Sequence, residues 1–244
     1  MGITSFEGKM GTGKSLSATA LAYTEWIRRE MLRHALECVL KDQTWDEIIE
    51  GLTEKFKIGQ KTAGAFVEKS LEIMREQGDE AFVSPRRIFS NNHLNFPYTH
   101  FDPAYFLEHA EDEDLRDCIL ILDEAYIYLD ARTSAAKITK LFTYFIGQTR
   151  KRGVDLYVCT HHIDVLDKRL RRAIDVRGTC KFNPGPMEEE KAIKKRRYNW
   201  ARITFRSMST GAERRLRIYG PPFYGLYDTT EMVSYMRKQT EIEL

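Results

Sequence analysis

Eight consecutive residues constrain this chain more than anything else in it: Gly8-Lys9-Met10-Gly11-Thr12-Gly13-Lys14-Ser15. They satisfy the pattern G-x-x-x-x-G-K-[ST] at every fixed position. The flanks agree with the pattern. Ile3-Thr4-Ser5-Phe6 before it alternates apolar and polar residues as a strand does, and Leu16-Ser17-Ala18-Thr19-Ala20-Leu21-Ala22 after it reads as a helix. In a strand–loop–helix setting, glycines let the backbone curl so that successive N–H groups converge on phosphate oxygens. The positive end of the helix dipole lies behind them. The expected phosphate-binding set is Gly8, Lys9, Met10, Gly11, Thr12, Gly13, Lys14, Ser15 and Leu16. Lys14 is expected to reach the β- and γ-phosphates, and the Ser15 hydroxyl to ligate Mg²⁺.

A second anchor lies more than a hundred residues downstream, in Cys118-Ile119-Leu120-Ile121-Leu122-Asp123-Glu124. Its unbroken apolar run fits a strand buried on both faces of a parallel sheet. It ends in two carboxylates, where the carboxyl edge of such a sheet meets a ligand crevice. This is the Walker B pattern: Asp123 is expected to hold Mg²⁺, and Glu124 to orient and polarise an attacking water. With both anchors present in this order, the expected ligands are ATP and Mg²⁺. An N-K-x-D guanine-reading motif is missing, which ranks a GTP switch last. A small-molecule kinase fits the loop, but the Asp-Glu strand end favours attack by water.

The rest of the chain supplies a frame. Val154 to Thr160 reads as a further strand, Val176 to Phe182 as another, and Asn199 to Ser207 with Arg214 to Tyr219 as a hairpin around Ser209-Thr210-Gly211. Asp164 to Asp175 reads as one helix, Asp102-Pro103 opens a short helix, and a last short helix is expected after Glu231. The fold class follows: α/β, with a mostly parallel central sheet and helices on both faces, one domain over residues 1–244; with its glycine loop and strand-end carboxylates it resembles the RecA-like P-loop NTPases. A helical insertion over residues 42–80 interrupts it, with Thr44 or Asp46 as cap of a first helix and Ile58-Gly59-Gln60 as the turn into a second. This helix-turn-helix-like unit carries Lys55, Lys57, Lys61 and Lys69, which could face DNA phosphates, or it is a hairpin that merely packs. The acidic stretch Glu111-Asp112-Glu113-Asp114 and the charge run Glu188 to Arg197 read as solvated.

Composition narrows the class further. The formal net charge is +2, so a nucleic-acid argument has to rest on local clusters. The four cysteines, Cys38, Cys118, Cys159 and Cys180, form no C-x-x-C pair, and reduced buried thiols are expected. No leader is expected before the first strand, and no apolar run is long enough to span a bilayer.

With both anchors, the Asp123-Glu124-Ala125 strand end, Gln148-Thr149-Arg150-Lys151-Arg152-Gly153 and Tyr227-Asp228-Thr229, the chain resembles the HerA/FtsK superfamily of ring ATPases. Within it, the resemblance is to zonula-occludens-toxin-like phage assembly ATPases and to viral genome-packaging ATPases. It covers roughly Met1 to Ala22 and Ile88 to Glu231. The resemblance implies an ATP-driven translocase of double-stranded DNA, self-associating as a ring, most often a hexamer. A viral capsid or membrane vertex protein is an implied partner, and host cytoplasm or virion the implied location. Packaging is favoured over extrusion, because extrusion proteins usually carry a membrane segment after the ATPase domain.

The resemblance also assigns further roles. The superfamily places a γ-phosphate-sensing glutamine at the end of the strand after Walker B. Here that position reads Thr160-His161-His162, so Thr160 and His161 are the candidates. Ring ATPases complete one subunit's site with an arginine from the next. Arg150 or Arg152 is the implied finger, and Arg169, Arg171 and Arg172 are the implied DNA contacts. A regulator built on the helical insertion is the alternative of a different class.

Overall fold

The computed structural model describes residues 2–78, 83–84, 86–109, 115–125, 137–183 and 200–227. The acidic stretch 111–114, the charge run 188–197, Asp228-Thr229 and the expected final helix lie outside them. The chain divides into two compact units, one of Met1–Ala22 with Arg87–Leu244 and one of Tyr23–Arg86.

The first unit is built on an eight-stranded sheet. In chain order the strands are β1 (Ile3–Glu7), β2 (Arg87–Ser90), β3 (Thr99–His100), β4 (Cys118–Leu122), β5 (Asp155–Thr160), β6 (Val176–Asn183), β7 (Trp200–Ser207) and β8 (Glu213–Tyr219). Their spatial order is β3-β2-β4-β5-β1-β6-β7-β8. Neighbours from β3 to β6 run parallel, whereas β6, β7 and β8 are antiparallel. The sheet is therefore mostly parallel, with the hairpin β7–β8 at one edge, as the alternation of Ala201, Ile203 and Phe205 with Arg202, Thr204 and Arg206 implied. Because β1, β2, β4 and β5 are parallel, their carboxyl ends lie along one edge.

β4 is buried at all five positions, as its unbroken apolar run required. Its register pairs Leu120 with Leu156 on one side and with Phe89 on the other. Those residues share a face with Ile3, Leu122 and Val158. They form one core cluster with Phe101 and three helices: Phe106 of α4 (Pro103–His109), Phe142 and Phe145 of α5 (Lys137–Gln148), and Leu170 of α6 (Lys168–Ala173). Asp102 starts α4 by accepting a hydrogen bond from Tyr105 N at 2.7 Å.

The single helix expected over residues 164–175 is two pieces. A 3-10 turn covers Ile163–Val165, Leu166 is extended, and α6 starts afresh because the Asp167 carboxylate accepts from Arg169 N at 2.7 Å. An aspartate placed there offers the backbone a cap in preference to a continued helix.

The helix α1 (Lys14–Leu40) leads from the glycine loop into the second unit, which also holds α2 (Trp45–Phe56) and α3 (Gln60–Gln77). Met31, Ala35 and Val39 pack with Ile48, Leu52, Ala63 and Val67. Thr44 caps α2 in a reciprocal capping box with Glu47, and Lys57 ends it in the left-handed conformation at φ 54°. Lys69 is ion-paired with Glu72 at 2.6 Å, and Lys55 lies over the Phe56 ring. Among the described residues no helix is long and apolar enough to cross a membrane.

Candidate nucleotide site

β1 and β4 are not adjacent: β5 lies between them. The glycine loop leaves the end of β1, the carboxylates leave the end of β4, and the end of β5 falls between. At a strand spacing of about 4.8 Å, the two anchors are roughly 10 Å apart along the sheet edge. Side chains close that gap.

The loop is tied internally. Thr12 Oγ1 donates to Lys9 O at 2.8 Å, Lys14 Nζ donates to the same carbonyl at 3.1 Å, and Ser17 Oγ donates to Gly13 O at 2.6 Å. Gly13 has φ 81°, a conformation in which a side chain is strained. A Cβ on Gly8 would fall 2.8 Å from Cys180 O and 2.5 Å from Thr12 Oγ1. Glycine is required there by close approach of β6. Lys9, Met10 and Gly11 are exposed at the loop tip, and Leu16 is buried behind it.

Ser15 Oγ donates to Asp123 Oδ2 at 2.6 Å. This brings the two expected Mg²⁺ ligands together as adjacent hard oxygen donors. Such a set suits Mg²⁺, which keeps several waters and takes one or two protein oxygens together with phosphates. Among the described residues no group of three or more His, Cys, Asp or Glu could hold a metal by itself.

Asp123 is held in place by two residues that sequence reading did not single out. Asn91, just past the end of β2, accepts from Asp123 N through Oδ1 and donates to Asp123 O through Nδ2, both at 2.8 Å. Its amide thereby imitates one more rung of the β2–β4 ladder. Asn92 Nδ2 donates to Asp123 Oδ2 at 2.7 Å. Glu124 follows with φ 47°, a left-handed backbone at a non-glycine residue. Such conformations cost ~1–3 kcal/mol and persist where the surroundings impose them. Here Asn91 holds Asp123, and Ala125 N donates to Cys159 O at 3.1 Å, so the residue between them is turned into the crevice.

His161, the first residue past β5, spans the remaining space. Its Nδ1 lies 3.2 Å from Lys14 Nζ, and its Nε2 lies 3.1 Å from Glu124 Oε1. An ammonium has no lone pair to offer, so Nδ1 is the acceptor and Nε2 carries the proton given to the carboxylate. A line Lys14–His161–Glu124 results. Thr160, the other sensor candidate, is fully buried and donates its hydroxyl to His162 O at 3.1 Å. His162 points elsewhere and pairs with Asp164 at 3.2 Å.

Glu7, also missed from sequence, ends β1 as a buried carboxylate. It accepts from Ser5 Oγ at 2.9 Å and from Arg177 at 2.6 Å. Burial pushes the Cys180 thiol up to about 12, against a hydrogen bond from Ser17 and the Lys14 charge. Burial also pushes Cys159 well up, and Asp123 adds to it. Both thiols are protonated at neutral pH and supply no nucleophile.

The arginines lie away from the loop. Arg150 is exposed and ion-paired with Asp175, whose carboxylate also accepts from Ile3 N. That places Arg150 at the amino edge of the sheet. Arg152 Nε donates to Gln148 Oε1 at 3.2 Å, and its guanidinium stacks 5.6 Å from the Phe145 ring. Arg171 pairs with Asp164 at 3.0 Å, whereas Arg169 and Arg172 are exposed.

No family model matches the chain, and no curated protein matches it in sequence. Among solved structures, it is similar to the N-terminal domain of zonular occludens toxin from Neisseria meningitidis. The TM-score is 0.54 at 15% identity, over 93% of this chain and 98% of that one. The genome-packaging NTPase of Sulfolobus turreted icosahedral virus 2 in complex with sulfate matches at TM-score 0.42 and 12% identity, over 88% of this chain and 94% of that one. The same protein in complex with ATP-gammaS matches at TM-score 0.39 and 10% identity, over 88% and 96%. The chain has the mixed α/β P-loop NTPase fold.

Proposed function

We propose that this chain is a Mg²⁺-dependent ATP hydrolase whose turnover drives the movement of DNA. The observation that carries the hydrolase reading is the line Lys14–His161–Glu124 beside the Ser15–Asp123 pair. It assembles a phosphate-binding cation, a base, a connecting imidazole and a metal-ligand pair at one sheet edge.

Lys14 exchanges its contacts with Lys9 O and His161 for the β- and γ-phosphates, where it offsets charge developing on the transferred group. Preorganised donors of this kind are worth about 3–4 kcal/mol in the transition state. Ser15 and Asp123 hold Mg²⁺, which when bound neutralises phosphate charge. Glu124 aligns and polarises the attacking water, and His161 holds that carboxylate in place through Nε2–H. A strand end carrying Asp followed by Glu favours water over a substrate hydroxyl as acceptor, which argues against a small-molecule kinase.

The finer reading, packaging of a viral genome by a ring of such subunits, draws on the sequence resemblance. In it Arg150 or Arg152 serves a neighbour's site, since both lie far from the loop of their own chain. Arg169, Arg171 and Arg172, with the lysines of the second unit, are the proposed contacts to double-stranded DNA, and residues 42–80 the proposed insertion. The experiment is ATP turnover with and without duplex DNA, on wild-type and Lys14→Ala chains. Turnover stimulated several-fold by DNA and lost in the variant is expected. Turnover indifferent to DNA would remove the motor reading and leave a plain ATPase.

A further inference from the structure

The antiparallel edge of the sheet carries a surface that the nucleotide site does not use. Side chains in register on β6, β7 and β8 lie in rows across one face. Lys181, Arg202 and Arg217 form one row, Thr179, Thr204 and Arg215 the next, and Arg177, Arg206 and Glu213 the third. The opposite face holds Cys180, Ala201, Ile203 and Ile218, all buried. Lys181, Arg202, Arg206, Arg215 and Arg217 are exposed, and among the described residues none of them has an ion-pair partner. Beyond Lys181 and Arg202, Trp200 opposes Tyr219, with ring centroids 5.0 Å apart and exposures of 40% and 47%.

Like charges directly opposite each other on neighbouring strands are destabilising. Lys181 faces Arg202, and Arg202 faces Arg217. Protection of a sheet edge against pairing would account for cations on β8 alone. It does not account for cations on β6 and β7, whose edges are covered. A row of unpaired cations that repel one another is relieved by a polyanion laid across it. Two exposed rings at the end of that row match a partner with flat, stackable groups spaced along an anionic backbone.

We propose that this face binds a single strand of nucleic acid. Lys181, Arg202, Arg206, Arg215 and Arg217 meet its phosphates, and Trp200 with Tyr219 stacks a base. Charge complementarity selects a polyanion, and the aromatic pair selects unpaired bases over a lipid surface or a closed duplex. The proposal does not depend on ATP hydrolysis, because none of these residues belongs to the loop or the carboxylate pair.

The test is fluorescence anisotropy of a labelled twenty-nucleotide oligothymidylate with the full chain, without nucleotide, from 50 to 200 mM salt. Five phosphate contacts on a single strand give a log–log salt slope near −3.5, a loss of roughly a hundredfold across that range. Arg202→Gln/Arg217→Gln is expected to weaken binding and flatten the slope to about −2.1, a loss of roughly twentyfold. Glu213→Lys is expected to strengthen binding and steepen it. Trp200→Ala should weaken binding roughly five- to a hundredfold, with Trp200→Phe retaining most of it. Lys14→Ala should leave all of this unchanged. An unchanged slope in the double variant and in Glu213→Lys, with wild-type circular dichroism, overturns the proposal. So does tighter binding to a closed duplex of the same length that the double variant weakens as much as it weakens the single strand, or binding to phosphatidylserine vesicles in place of the oligonucleotide.

Discussion

Asn91→Ala tests how the carboxylate strand end is held. The Asn91 amide makes two 2.8 Å bonds to the backbone of Asp123, a residue only 5% exposed. Truncation leaves a buried N–H and a buried carbonyl without their partners, at about 1–3 kcal/mol each. Asn91 itself is half-buried, so water recovers part of this, and a net cost of about 2–3 kcal/mol is the working figure. Every 1.4 kcal/mol is tenfold, so local opening at Asp123 should become roughly thirty- to a hundredfold more frequent. Native-state hydrogen exchange of the Asp123 amide reads that change directly. Asn91→Asp should do no better, because the new oxygen would face the Asp123 carbonyl. Asn92→Ala removes one bond to a carboxylate oxygen that Ser15 still engages and leaves both backbone partners of Asp123 in place, so it should raise exchange at the Asp123 amide less. Wild-type exchange in Asn91→Ala, or a larger effect in Asn92→Ala, would refute the reasoning.

Other expectations follow from the same geometry. Gly8→Ala drives a methyl group into Cys180 O and the Thr12 hydroxyl; it should destabilise the chain by ~1–3 kcal/mol and abolish retention on immobilised ATP. His161→Ala should lower ATP turnover about ten- to a hundredfold through loss of Glu124 alignment, with nucleotide affinity preserved. His161→Gln, which can accept from Lys14 and donate to Glu124, should recover much of the rate. Thr44→Ala removes the α2 cap at a cost of about 1 kcal/mol. Glu47 is held below the usual carboxylate range by the Thr44 backbone N–H and then by its hydroxyl. A depressed folded pKa means stabilisation present above the ordinary carboxylate pKa and lost as pH falls through the folded one. Thermal melts should therefore show the Glu47→Gln deficit at pH 7 and its progressive loss as pH falls below the ordinary carboxylate pKa and through the folded one.

The two anchors were legible because each is a contiguous run whose chemistry is local. Leu120 and its neighbours could only be a doubly buried strand, and the glycines around Lys14 could only be a tight loop. The order of strands was not legible. That β5 separates β1 from β4, and so puts His161 between Lys14 and Glu124, follows from packing across many residues. Asn91 and Glu7 escaped notice for a related reason. One imitates a strand rung with its side chain, the other buries its charge against Arg177, and neither leaves a spacing pattern. Asp167 was readable as a cap, but the helical periodicity around it masked the break before α6. The cationic face over β6, β7 and β8 was half legible: alternation announced a hairpin, while the stacking of Lys181, Arg202 and Arg217 into one row needed the register.

The most direct test of the hydrolase reading separates binding from chemistry at Glu124. ATP affinity in the presence of Mg²⁺ and single-turnover γ-phosphate release should be measured for wild-type and Glu124→Gln. The amide preserves size and a hydrogen-bond acceptor for His161 Nε2–H but cannot polarise water as a carboxylate does. Affinity within a few-fold of wild-type and release slowed at least a hundredfold, on the scale of a lost general base, is the expected result. Equal loss of both, or γ-phosphate release at the wild-type rate from the variant, would contradict the role of Glu124, and a wild-type chain that binds ATP with Mg²⁺ but releases no γ-phosphate would contradict the reading of this chain as an ATP hydrolase.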